Sequence, residues 1–112
     1  MKVIFNNFIP FKGFGAINLF GILFVRKGAY KDDKLTKKTI NHECIHTHQM
    51  REMGFIFFYL WYFIEWLLLL PTFGKQAYYN ISFEREAYDN EKNYKYLEDR
   101  KHYSWFKYYG KQ

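Results

Sequence analysis

This chain has only one cysteine, and it has no apolar run long enough to identify a membrane-spanning helix without ambiguity. The single cysteine, Cys44, excludes an intramolecular disulfide and a zinc site built from several thiolates. Disorder is also excluded, because 49% of the 112 residues are hydrophobic and supply ample apolar surface for a core. We therefore expect one folded domain that covers residues 1–112.

Clusters of basic residues and targeting signals are lacking as well. The net charge is +6, but the basic residues form no block and accompany no nucleic-acid-binding motif, so we expect no nucleic-acid partner. The first 14 residues lack an uninterrupted apolar core followed by a small-residue cleavage site, so we expect no signal peptide. The expected location is the cytoplasm, with membrane association as an open alternative.

The longest apolar run, residues 55–70, contains Glu65 and ends at Pro71. It is shorter than the roughly 20 residues that a spanning helix needs, and a carboxylate at mid-bilayer is costly. A buried core helix is the favoured interpretation, ahead of a helix that rests on a membrane and one that spans it. The aromatic share of 24% exceeds what a small core can hide, which favours a membrane surface, a protein partner or a homo-oligomer.

The order of elements predicts an α+β fold in which an N-terminal β-hairpin precedes about three helices. Residues 1–30 are β-prone and interrupted by glycines, which is typical of short strands and turns. The first long helix is predicted over residues 37–53, with Thr36 or Thr39 as its cap and Gly54 as its stop. A second helix over 55–70, a connection over 72–81 and a third helix over 83–101 with Ser82 as its N-cap follow.

The segment HECIH at residues 42–46 is the most informative motif. On a helix its two histidines lie about 40° apart on one face, so both can reach one ion. Glu43 lies about 100° from His42, beside the ion but free to act as a general base. The motif predicts one divalent metal ion bound by His42 and His46, with zinc as the first choice.

A catalytic zinc site has three protein ligands and one position for water. Glu84 is our choice for the third ligand, because Ala87 would let its helix pack closely against the first. Glu86 is the competitor, and either glutamate could instead be a solvated acid in the first helical turn. Gln49 lies seven residues after His42, about 20° round the helix, and could orient a ligand or a substrate.

His42, Glu43 and His46, taken with Glu84 and Ala87, resemble the HExxH plus ExxA pattern of the gluzincin metallopeptidases. The small size resembles the minigluzincins, and the resemblance covers residues 36–89. It implies a minimal zincin-like domain in which His42, His46 and Glu84 ligate zinc and Glu43 is the general base.

One position departs from that pattern. Many gluzincins have an aspartate directly after the small residue of the second motif, whereas this chain has Tyr88 there and Asp89 one residue later. The resemblance therefore does not carry that supporting carboxylate over to this chain. A donor for the developing oxyanion is also needed. We favour His102 slightly among the four candidates, which are Tyr88, Tyr94, His102 and Tyr103.

Together these patterns predict a small zinc-dependent hydrolase, most simply a peptidase acting on a peptide or protein substrate. An edge strand within residues 14–25 could align an extended substrate. The alternative is a non-catalytic metal-binding or interaction module that holds a partner or a membrane surface.

Overall fold

The computed structural model describes residues 1–10, 15–30, 32 and 34–109, and over these residues the predicted α+β class is confirmed. A three-stranded sheet comes first and helices follow. The strands are β1 (Lys2–Asn6), β2 (Ala16–Leu19) and β3 (Ile22–Arg26). The helices are α1 (Lys37–Met53), α2 (Phe55–Phe73), α3 (Ala77–Asn80), α4 (Ser82–Asn90) and α5 (Tyr96–Asp99), with 3₁₀ turns at Gly74–Gln76 and Ser104–Tyr108.

The predicted hairpin is the pair of antiparallel strands β2 and β3. Phe20 and Gly21 form its two-residue turn with φ angles of 55° and 87°, the left-handed geometry that matches the strand twist. The sequence analysis did not predict that β1 would pair in parallel with β3. The resulting order, β1-β3-β2, leaves β2 at an edge, while Phe14 of the range predicted for an edge strand lies outside the described residues.

Helix α1 has the predicted bounds because both of its ends are marked locally. The Thr36 hydroxyl accepts a hydrogen bond from the Thr39 backbone N–H at 3.2 Å, and Gly54 ends the helix with a φ of 80°. Asn18 ties β2 to this helix, because its side-chain amide donates to the Glu43 carbonyl and the Thr47 hydroxyl, each at 3.0 Å.

Two predicted helix ends are wrong. Helix α2 continues past Pro71 to Phe73, because the proline removes only its own backbone donor, and the Gly74 N–H that follows still bonds to the Leu70 carbonyl. The predicted connection over residues 72–81 contains the 3₁₀ turn Gly74–Gln76 and the short helix α3.

The third predicted helix ends at Asn90 instead of near residue 101. The Asn41 side-chain amide donates to the carbonyls of Asn90, Glu91 and Asn93, at 3.3, 2.8 and 3.1 Å, and so satisfies groups that a helix C-terminus leaves open. The N-cap is Ile81 and not Ser82, whose hydroxyl donates to Glu65 at 2.7 Å.

The core lies where α1, α2, α4 and the last 3₁₀ turn meet. Its buried members are Met50, Phe58, Ile81, Phe83 and Trp105. Only one side of α2 takes part in this core. By length and composition alone, the helical stretch Phe55–Asn90 could cross a membrane, and only 11% of its most apolar window is buried inside the protein.

Candidate metal centre

His42, His46 and Glu84 converge at the contact between α1 and α4. The Nε2 atoms of the two histidines are 3.1 Å apart, and each lies near the same carboxylate oxygen of Glu84, at 3.2 and 3.0 Å. The three residues are 6%, 5% and 4% exposed. The group could hold a metal ion, as the spacing of the sequence predicted.

Gln49 fixes the orientation of the His46 ring. Its side-chain nitrogen donates to the Phe83 carbonyl at 3.0 Å and to Glu86 at 2.9 Å, which turns its oxygen toward His46. That oxygen lies 2.8 Å from Nδ1 of His46, so Nδ1 must carry the proton. When the ring is neutral, as metal binding requires, the lone pair of Nε2 is then directed toward Glu84.

Glu91 does the same for His42. Its carboxylate lies 2.9 Å from Nδ1 of His42 and, being an acceptor, holds the proton there. The three hydrogen bonds from Asn41 fix the backbone around Glu91. Glu91 is therefore the supporting carboxylate that the sequence analysis could not assign, while Asp89 is exposed.

Glu84 is held in place through the carboxylate oxygen that faces away from the histidines. The Tyr62 hydroxyl donates to its second oxygen at 2.7 Å, so the first oxygen is free to face the histidines. Burial alone would raise the pKa of Glu84, but the two histidines hold it well below its ordinary value. Burial alone would lower the pKa of His46, but the charge and hydrogen bond of Glu84 raise it to about 9.

The donor set fits a small tetrahedral cation. Two neutral imidazole nitrogens and one carboxylate oxygen would repel one another unless a cation or a proton lay between them. Ligands at zinc distances lie roughly 3.3 Å apart in a tetrahedron, close to the separations of 3.0 to 3.2 Å found here.

The competitor ligand, Glu86, points away from this centre. Its carboxylate is 0% exposed and forms an ion pair with Arg100, which also pairs with Glu52. Tyr96 donates to it at 2.7 Å and Gln49 at 2.9 Å. Glu86 therefore supports Gln49 from behind, and through it the ring of His46.

A cavity of about 260 Å³ opens beside the three ligands and is lined by Glu43, His46 and Glu84. Glu43 is half-buried there, and within the described part of the chain its carboxylate accepts no hydrogen bond. Its charge contributes to raising the pKa of both His46 and Tyr78. The edge strand β2 also lines this cavity, through Ala16, Ile17 and Asn18.

No protein-family model, no curated protein and no solved structure matches this chain. What the centre can do therefore follows from its own side chains.

The four predicted oxyanion donors lie outside the cavity lining. Tyr88 is the nearest, with its ring 4.6 Å from that of His42. Tyr94 is 57% exposed on the turn after α4. The His102 side chain is 83% exposed and, like the hydroxyl and N–H of Tyr103, lies against Glu52.

Tyr62, Tyr78 and Glu91 belong to the site and were missed by the sequence analysis. Tyr78 lines the cavity, and burial together with the charge of Glu84 raises its pKa, so its hydroxyl keeps its proton. A spacing signal existed for Glu91, because it follows Glu84 by seven residues, which is two helical turns. No local signal identified the tyrosines.

Proposed function

We propose that this protein is a small zinc-dependent peptidase with a minimal zincin-like site, related in its motif to the gluzincins. The observation that supports this most is the buried triad of His42, His46 and Glu84, in which both histidines are held from behind with their Nε2 lone pairs directed at one point. Zinc is the ion that suits two imidazoles and a carboxylate in a compact tetrahedral site.

The residues around the triad suit hydrolysis. A zinc ion bound there would act as a Lewis acid, polarising a substrate carbonyl and making a water molecule easier to deprotonate. Glu43 is placed in the same cavity and would accept the proton of that water, then deliver it to the leaving amine. Tyr78 keeps its proton and would donate a hydrogen bond to the developing oxyanion.

The edge strand β2 would bind an extended peptide. In an antiparallel pair the backbone groups of alternate residues face away from the partner strand. The Asn18 carbonyl does so, because it accepts from the Tyr59 hydroxyl at 3.1 Å on α2. By the same alternation the N–H and C=O of Ala16 face away from β3 and would pair with substrate backbone.

The proposal is tested first by metal content. Elemental analysis after zinc supply at neutral pH should give about one zinc per wild-type chain, and much less for His46→Ala and Glu84→Ala. The matched control is Glu98→Ala, which removes one exposed carboxylate and should leave the zinc content unchanged. A metal-free wild-type chain would refute the site.

Catalysis is tested separately from binding by Glu43→Gln. With zinc content equal, cleavage of a random-sequence peptide mixture, followed by mass spectrometry, should fall about 100- to 10,000-fold. Glu98→Gln, purified in the same way, should cleave like the wild type. Equal cleavage by Glu43→Gln and wild type would refute Glu43 as the base.

A second function, a zinc-stapled interaction module, is favoured by one observation. The ligands are only 4% to 6% exposed and join α1 to α4, an arrangement in which the metal would hold the fold together. In that case zinc-loaded wild type and Glu43→Gln would both leave every peptide intact, while zinc removal would unfold the protein.

A further inference from the structure

The outward side of α2 is a continuous apolar surface. Its members recur at helical spacing along the whole helix, and each is between 42% and 73% exposed. We call this surface the α2 face; it consists of Ile56, Phe57, Leu60, Trp61, Phe63, Ile64, Leu67 and Leu68. Half-exposed side chains of this size present roughly 800 Å² of apolar surface, more than the few hundred Å² that a soluble monomer ordinarily exposes.

The charged group of this helix is turned away from the face. Glu65 is the one acidic or basic residue of α2 and is 8% exposed. Its carboxylate accepts from the Ser82 N–H at 2.9 Å, the Ser82 hydroxyl at 2.7 Å and the Tyr109 hydroxyl at 2.8 Å. The outward side is therefore left without a charge, while the carboxylate that would oppose membrane contact is satisfied inside the protein.

Basic residues lie at both ends of α2, and further basic and aromatic residues lie on the last 3₁₀ turn. Arg51 precedes the helix and Lys75 follows it, and both are exposed. The last 3₁₀ turn adds the exposed Lys107, on the same turn as Phe106. Tyr109 follows this turn, and its hydroxyl accepts a hydrogen bond from the Trp61 indole N–H at 2.5 Å. Trp and Tyr beside apolar residues, with Lys and Arg at the margins, are typical of a surface that lies at the boundary of an anionic membrane.

The hairpin turn adds another exposed aromatic side chain, at the flank of α2. Phe20 is 54% exposed, and its ring lies 5.5 Å from those of Phe55 and Tyr59 at the start of α2. A bulky side chain at positive φ is strained, yet here it is held at the protein surface instead of in the core.

We propose that the α2 face is a docking surface for an anionic lipid bilayer, on which the protein rests with α2 parallel to the membrane plane. A second copy of the chain is the other apolar occupant of suitable size. Two copies packed face to face would bring Arg51 and Lys75 of one near the like charges of the other, whereas anionic headgroups would attract them. A spanning α2 would also place Glu65, with its partners Ser82 and Tyr109, at membrane depth.

The test is co-sedimentation with lipid vesicles and does not depend on hydrolysis, so it can fail or succeed separately from the peptidase proposal. Wild type should bind vesicles of phosphatidylcholine with 30% phosphatidylglycerol at least tenfold more tightly than pure phosphatidylcholine vesicles, a preference that 0.5 M NaCl should remove. Leu60→Glu/Leu68→Glu should reduce binding at least tenfold. The control variant, Phe8→Glu/Tyr94→Glu, adds the same charge outside the α2 face, at residues that are 83% and 57% exposed. It should bind the vesicles more than tenfold better than Leu60→Glu/Leu68→Glu.

Folding of every variant is checked by circular dichroism and urea unfolding, neither of which depends on a metal site. A further measurement uses the wild type alone, in which brominated lipid should quench the fluorescence of Trp61, and Trp61→Phe should lose most of that quenching. Equal loss of binding in the control pair, or no binding by wild type, would overturn the proposal. A wild-type dimer in sedimentation velocity that Leu60→Glu/Leu68→Glu dissociates, with no vesicle binding, would assign the face to a second copy.

Discussion

Removing the carboxylate of Glu91 should weaken metal binding without removing a ligand. Glu91 holds Nδ1 of His42 at 2.9 Å, and its side chain is only 14% exposed, so water replaces it poorly in Glu91→Ala. The His42 ring would then lose both its orientation and the charge that makes Nε2 a stronger donor. Losses of this kind reduce metal affinity about 10- to 100-fold, or roughly 1.4 to 2.7 kcal/mol.

The assay is a zinc competition titration against a chromophoric chelator at neutral pH. Asp89→Ala is the matched control, since it removes the same charge from an exposed residue two positions earlier, in the last turn of the helix that Glu91 caps. It is also the nearest match to the aspartate of the gluzincin pattern. Glu91→Gln keeps an acceptor oxygen but no charge, and should fall between wild type and Glu91→Ala. Unchanged affinity in Glu91→Ala, or an equal loss in Asp89→Ala, would refute the role assigned to Glu91.

Three further predictions concern the groups behind the ligands. Gln49→Leu leaves His46 Nδ1 and the Phe83 carbonyl unpaired, so zinc affinity in the same titration should fall about 10- to 100-fold and unfolding free energy by about 2 kcal/mol. Arg100→Met leaves Glu86 and Glu52 buried without their cation, so the unfolding free energy measured in urea should fall by about 3 to 5 kcal/mol. The control Lys101→Met, at the exposed neighbouring residue, should lower it little. Equal losses in the two variants would contradict the ion-pair argument. In the metal-free protein the raised pKa of His46 gives stability that is fully present below pH 6.5 and lost as pH rises through about 9. Its size is about 3 kcal/mol, so thermal melts of the metal-free form should decline across that range, while those of the zinc form should not, because zinc binds neutral histidine.

The parts of the fold that the sequence predicted are those with local signals. Helix α1 was predicted with its observed bounds because Thr36 and Gly54 mark its two ends. The two histidines of the candidate metal centre were predicted to share one helix face because four residues make about one helical turn, whatever the rest of the chain does. Choosing Glu84 over Glu86 needed only the close packing that Ala87 allows, and Ala87 is 0% exposed in the structure.

The parts that were missed depend on residues far apart in sequence. Asn41 ends α4 from about 50 residues away, so no pattern within residues 83–101 indicated a stop at Asn90. The pairing of β1 with β3 is likewise a long-range choice. Glu65 was treated as a cost to membrane contact, since its partners, Ser82 and Tyr109, lie 17 and 44 residues away.

A second cavity connects the α2 face with the cavity beside the candidate metal centre. It has a volume of about 350 Å³ and shares three tyrosines with the cavity beside the metal ligands. Its lining is Tyr59, Tyr62, Phe63, Trp66 and Tyr78. Phe63 belongs to the α2 face, so the aromatic walls are continuous from the surface proposed to meet lipid to the proposed catalytic cavity. Aromatic walls bind apolar side chains in preference to charged ones, so a protein that works this way would select peptides with large apolar residues beside the cleaved bond.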